Sequence, residues 1–228
     1  MPNRERTPID AALFDMDGVL CDSEPFICQA AIRMFLEDYG LQAKPEDFSP
    51  FVGAGENRFI GGVAEKYDCE IDLPKAKART YALYLEIIQG QLGPLDGAVD
   101  FVAQCKEFGL KCAVATSADE VKLLGNLREI GLPFETFDAC VNGLEVERRK
   151  PHPDIFLLAA RRLGVDPQRC LVVEDAPNGV QAAKAAGSLC LGLTTSFPAD
   201  VLEMAGADFI APNLAHVPDE LMRLLGGS

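Results

Sequence analysis

Four short apolar runs constrain this chain most: residues 9–15 (Ile-Asp-Ala-Ala-Leu-Phe-Asp), Leu110–Ala115, Cys170–Val173 and Leu189–Leu193. Amphipathic stretches long enough for crossover helices separate each run from the next. Short β-rich runs alternating with helical patterns are the mark of βαβ units, and strands apolar along their whole length are buried on both faces. The expected fold is therefore α/β, a doubly wound, Rossmann-like parallel sheet. Asp138–Val141 and Asp208–Ala211 are candidates for two further strands. Between Asp22 and about Leu92 the pattern changes. Pro25–Tyr39, Glu56–Tyr67 and Pro74–Gln89 read as helices with no strand among them, so an α-helical cap is expected over residues 22–92, inserted into a core of residues 1–21 and 93–228. Ligands of open α/β sheets bind beyond the carboxyl ends of the strands, and an insert leaving directly after the first strand stands over that place.

Polar groups collect at those strand ends. Asp15-Met16-Asp17-Gly18 follows the first run, Thr116-Ser117 the second and Glu174-Asp175 the third, while Lys150 stands in the loop before a helix expected near Asp154. Packing does not account for them, because uncompensated carboxylates brought together repel one another. A cation would relieve that repulsion. Mg2+ prefers oxygen ligands, commonly one or two carboxylates together with phosphate oxygens, and the expected ligands are Asp15, Asp175 and the main-chain carbonyl of Asp17, with Glu174 supporting them from behind. Lys150, Thr116 and Ser117 would hold phosphate oxygens.

Asp15-x-Asp17-Gly18-Val19-Leu20, Ala115-Thr116-Ser117, Lys150-Pro151-x-Pro153-Asp154 and Val173-Glu174-Asp175 resemble, in order, the four motifs of the haloacid dehalogenase superfamily. The resemblance implies that Asp15 attacks phosphorus to give an aspartyl-phosphate, and that Asp17 protonates the leaving oxygen and later activates water. The helical insert and Asp22-Ser23-Glu24 are similar to the β-phosphoglucomutase-like branch, which includes phosphatases of small phosphorylated metabolites and mutases. Mutases carry a histidine where this chain has Ile27, and a phosphate-gripping arginine where it has Glu56. Arg58 lies two positions on and, with Glu56, is a candidate for cap specificity. Asp119 and Glu120 follow Thr116-Ser117, where mutases are basic. A metabolite phosphatase is the leading expectation, a weakly active interaction module the second and a phosphosugar mutase the third. Gly53-x-Gly55-Glu56-x-Arg58-Phe59-x-Gly61-Gly62 is similar to the dehalogenase-like domain of plant and algal chloroplast proteins that suppress photoprotective quenching, which implies a stromal address and a larger parent protein.

Acidic residues outnumber basic ones 35 to 21, and a net charge of −14 disfavours nucleic acid and anionic membranes as partners. No run approaches the roughly 18 apolar residues of a membrane span, and Met1-Pro2-Asn3-Arg4-Glu5-Arg6 has no signal-peptide character. The expectation is a soluble chain in a reducing compartment, monomeric by default. Eight cysteines without a C-x-x-C pair read as small buried hydrophobes, with Cys21 the one redox candidate beside the site. Gly53, Gly55, Gly61 and Gly62 read as turns within the cap or as a phosphate cradle. His152 and His216, the two histidines, do not suit a metal site. Phe26 is expected in the cap core or lining a substrate tunnel.

Overall fold

In the computed structural model, which describes residues 8–51 and 55–226, the apolar runs become strands of one parallel sheet. The strands are β1 (Ala11–Phe14), β2 (Lys111–Ala115), β3 (Ala139–Val141), β4 (Cys170–Glu174), β5 (Leu189–Leu193) and β6 (Phe209–Ala211), in the order β3-β2-β1-β4-β5-β6. Both candidate outer strands are present. Side chains alternate across the sheet as the pleat requires. Ala12, Phe14, Val114, Leu171 and Val173 enter one apolar layer, and Ala11, Leu13, Ala113, Ala115 and Val172 the other.

Among the described residues between β1 and Leu92 there are four α-helices: α1 (Glu24–Tyr39), α2 (Pro45–Phe48), α3 (Glu56–Lys66) and α4 (Leu73–Ile88). Six follow in the remainder: α5 (Ala98–Glu107), α6 (Glu120–Glu129), α7 (Asp154–Leu163), α8 (Pro177–Ala186), α9 (Ala199–Ala205) and α10 (Asp219–Gly226). α7 and α8 cover the Leu13 face, and α5, α6 and α10 the Phe14 face.

In α1 the buried residues are Ile27, Ala30, Ala31, Met34 and Phe35, a spacing that makes one apolar stripe along a helix. Pro25 sits in the first turn, where its missing N–H is harmless, and Gly40 ends the helix in the left-handed conformation. The stripe packs on α4, and Phe35, Phe48 and Phe59 stack in series with ring centroids 6.2 and 4.7 Å apart. Phe26 is half-buried against this layer. Gly61 and Gly62 lie inside α3 rather than in turns. A Cβ on Gly62 would fall 2.5 Å from the Phe51 ring, so the glycine is there for packing. Gly53 lies outside the described residues.

The chain just after β1 and the chain just before α5 run side by side. Leu95 N donates to Leu20 O at 2.9 Å, and Cys21 and Pro94 form an isolated bridge. α4 rests on α6, where Tyr84 Oη donates to Asn126 Oδ1 and Lys77 pairs with Asp119 at 2.6 Å. A Cβ on Gly125 would come within 2.5 Å of Leu85 Cδ2, so a glycine lets these two helices approach closely.

Candidate active site

Strand register decides which side chains meet. Phe14 pairs with Val114 on one side and Val173 on the other, which puts the next residues, Asp15, Ala115 and Glu174, level at the carboxyl edge. Strand order reverses at β1. The chain must cross from β3, beyond β2, to β4 on the far side of β1, and the loop that makes this crossing carries Lys150 over the sheet's end. Lys150 Nζ donates to Asp15 Oδ1 at 2.7 Å and Glu174 Oε1 at 2.6 Å, with a longer contact to Ala115 O at 3.3 Å. Its ammonium lies 5.0 Å from the centroid of the Phe156 ring, under the first turns of α7.

Asp15, Glu174 and Asp175 are buried and can each offer an oxygen within 4.8 Å of the others. Burial pushes Asp15 up to about 7; Lys150 draws it down, while Glu174 pushes it up. Asp175 is pushed up to about 8 by burial, then by Glu174 and Asp15. Burial opposes the charge on Lys150, yet Asp15 and Glu174 outweigh it and hold the ammonium above its ordinary range. One lysine does not neutralise three carboxylates. The all-oxygen donor set and the strained ionisation suit a hard divalent cation. Gly18 reinforces the fit: its φ is +73°, and a Cβ there would lie 1.8 Å from Asp175 Oδ2, so only glycine lets the loop close on that carboxylate. Gly179 does the same for Glu174, whose Oε2 also accepts from the main-chain N–H groups of Asp175 and Ala176. Asn178 and Gly179 lie in the first turn of α8.

Thr116 is buried at the end of β2, its Oγ1 accepting from Ala118 N at 3.1 Å, and Ser117 lines the cavity beside it. Asp17 lies two residues beyond Asp15. Ser23 Oγ donates to its Oδ1, and Lys122 Nζ reaches its Oδ2 at 2.9 Å and Glu24 Oε1 at 3.4 Å. These groups open onto a cavity of about 530 Å3, walled on the insert side by Ile27, Ser49, Phe51, Gly55, Glu56 and Phe59. Asp15, Asp17, Thr116, Ser117, Lys150, Glu174 and Asp175 thus share one cleft. Glu56 joins them on its wall. Arg58 does not: it is exposed, pairs with Glu65 at 2.6 Å and lies 4.9 Å over the Phe51 ring.

Lys122 escaped sequence reasoning. A lysine on an amphipathic helix reads as a solvated face, yet this one is 2% exposed. A signal was there, since Lys122, Leu123, Asn126 and Leu127 form one buried stripe along α6. Ser196, which follows β5 and lines the cavity with Asp175, carried no sequence signal. Asp119 faces away from the ligand space onto Lys77 instead of repelling a bound anion. Cys21 is fully buried, and burial, then Asp17, pushes its thiol well above the ordinary range, so it has no thiolate character. All eight cysteines are free thiols. His152 is exposed, and His216, also exposed, contacts Asn213 away from the cleft.

Residues 9–187 match the family described as haloacid dehalogenase-like hydrolase. Over 213 residues the chain is 42% identical to Protein SUPPRESSOR OF QUENCHING 1, chloroplastic, of Arabidopsis thaliana, a match that covers 92% of this chain and 20% of that protein. The chain therefore spans about a fifth of that relative. It is 33% identical over 179 residues to the Phosphorylated carbohydrates phosphatase of Thermotoga maritima, covering 78% of this chain and 82% of that one. Among solved structures, CbbY from Rhodobacter sphaeroides in complex with phosphate superposes with a TM-score of 0.77 at 29% identity, over 91% of this chain and 95% of that one.

Proposed function

Because the chain belongs to the haloacid dehalogenase-like hydrolases, we propose that it is a Mg2+-dependent phosphatase of a small phosphorylated metabolite, acting through an aspartyl-phosphate on Asp15. The observation that carries this reading is the meeting of Asp15, Lys150, Glu174 and Asp175 at one sheet edge, with Asp17 opening the same cavity toward the insert. An Asp15 oxygen attacks phosphorus, the bond to the leaving oxygen breaks, and Asp17 gives that oxygen a proton. Asp17 then takes a proton from water, whose oxygen attacks the phosphoryl group and returns Asp15 as a carboxylate.

Lys150 has three N–H donors, two committed to carboxylates and one to the longer contact with Ala115 O. A phosphoryl oxygen can replace that third partner without disturbing the ion pairs. Thr116 and Ser117 supply further donors to the same group. Mg2+, held by Asp15, Asp175 and the main-chain carbonyl of Asp17 with Glu174 behind them, would neutralise the charge that otherwise keeps a carboxylate from an anionic phosphorus.

In this reading residues 22–92 are a cap that moves on the paired connections at Leu20/Cys21 and Pro94/Leu95. Ile27, on the cavity wall, offers a sugar hydroxyl neither donor nor acceptor, which supports hydrolysis over phosphosugar transfer. The chloroplast name of the relative from A. thaliana supports a chloroplast address and a longer parent protein. Phosphate release from a panel of phosphomonoesters tests the reading: it is expected with Mg2+, and to vanish with EDTA. A panel that yields no phosphate would favour a regulatory module.

A further inference from the structure

The side of the cavity next to Asp17 and Lys122 holds a carboxyl group with one unpartnered oxygen. Glu56, at the start of α3, is 7% exposed and lines the cavity, yet its Oε2 has no hydrogen-bond partner among the described residues. The nearby cation attracts this carboxyl group without donating to it. Lys122 is engaged with Asp17 at 2.9 Å and Glu24 at 3.4 Å, and no hydrogen bond joins it to Glu56. A buried acceptor left without a donor is destabilising, so a chain that keeps one on a cavity wall has a place for a donor from outside.

The neighbourhood says what that donor belongs to. Lys122 touches Asp17, the group assigned to protonate the leaving oxygen, so the space around Lys122, Glu24 and Glu56 is where the alcohol half of a phosphomonoester lies. Among the described residues that line this half, Asp22, Glu24 and Glu56 outnumber the one lysine, Lys122, while the Arg149 guanidinium lies behind Gly55 at its edge. A second phosphate or a carboxylate here would meet repulsion and lose its water. An O–H group would give Glu56 the hydrogen bond it lacks, while Ile27, Phe51 and Phe59 offer an apolar wall to the C–H face of the same molecule.

We propose that Glu56 is a specificity residue that accepts a hydrogen bond from a hydroxyl of the leaving group, selecting hydroxylated, singly phosphorylated substrates and excluding those with a second anionic group. The inference rests on the phosphatase reading for where the phosphate sits, and it can fail separately. Binding separates the two. Calorimetry on the Asp15→Asn protein with Mg2+ would compare sorbitol 6-phosphate, phenyl phosphate and fructose 1,6-bisphosphate, with and without Glu56→Gln. Sorbitol 6-phosphate is expected to bind about tenfold or more tightly than either of the others, the scale of one hydrogen bond to a charged group. Glu56→Gln should cut that ratio at least threefold, chiefly by admitting the bisphosphate, and Glu56→Asp, which keeps the charge, should restore part of it. Equal affinities for the three ligands, or a ratio unchanged by Glu56→Gln, would overturn the assignment. Selective binding without phosphate release by the parent protein would leave Glu56 its role and remove the phosphatase.

Discussion

The two walls of the cavity are built on different principles. On the sheet side, Asp15 and Glu174 sit at strand ends whose mutual register is fixed by the hydrogen-bond ladder, so both come within 2.7 Å of the Lys150 ammonium. On the insert side, Glu24 and Glu56 ride on helices held to the rest by side-chain contacts such as Lys77 with Asp119 and Lys122 with Glu24. A ladder tolerates little displacement, whereas a few ion pairs and one helix–helix seam can open. The contrast suggests a division of labour, with chemistry placed where the backbone is rigid and selection placed where it can move.

Removing the proposed nucleophile should show the contrast at its largest. Asp15→Asn is expected to lower phosphate release by more than about a thousandfold, while circular dichroism and the melting temperature stay near those of the parent, since the amide keeps the volume and relieves repulsion with Glu174 and Asp175. Loss of the fold would mean that Asp15 is structural. Lys150→Met comes next. It leaves two buried carboxylates, Asp15 and Glu174, without their shared cation, and turnover is expected to fall about a hundredfold or more, together with a loss of about 3–5 kcal/mol of stability by urea unfolding; Asp15→Asn differs in leaving Lys150 its pair with Glu174.

Between the two walls, Lys122→Met should cost stability on a similar scale of about 3–5 kcal/mol, since it strips Asp17 and Glu24 of a cation that is 2% exposed. Burial already raises Glu24 and Glu56 above the usual carboxylate range. Without Lys122 the penalty for ionising them grows, so the destabilisation should be greater at pH 8 than at pH 5.5. A pH-independent loss would mean that these acids keep another partner.

The smallest effect concerns magnesium. Asp15 and Asp175 are raised to about 7 and 8 from an ordinary value of 3.8. The folded state therefore holds more protons than the unfolded chain between about pH 4 and 8. Stability without metal is fully present below that window and is lost as pH rises through it. Mg2+, which favours the ionised carboxylates, should raise the melting temperature by a few degrees at pH 8 and by less at pH 5.5, in line with binding to the native state alone. Equal shifts at both pH values would separate the cation from these carboxylates.

Much of the sheet side was legible in the sequence because it is local. A run such as Ala11–Phe14 carries its own apolar signal, and the residue after it inherits a position at the sheet's end. Asp15 and Asp175 could thus be assigned to one cleft though widely separated in the chain, and Lys150 was added to them by its Lys-Pro-x-Pro motif. The insert was legible as helices, with Pro25–Tyr39 observed as Glu24–Tyr39, but not as surfaces. Arg58 and Glu56 stand two apart on α3 and so point in different directions, one to solvent and one to the cavity. Lys122 was missed for the same reason: a helix hides or displays a residue according to what packs on that face, here α4 and the start of α1.

By itself the sequence determined the parallel α/β sheet, the helical character of the insert and the acidic set at the strand ends, since hydrophobic period and turn chemistry act over a few residues. Only the tertiary structure decided that Lys122 is buried against Asp17, that Asp119 turns away onto Lys77 and that Glu56 is left with an oxygen unpartnered. Those outcomes depend on how α1 and α3 pack on α4, and how α4 and the start of α1 seat over α6. No short stretch of chain encodes that seating, because it is set by contacts between residues far apart in sequence.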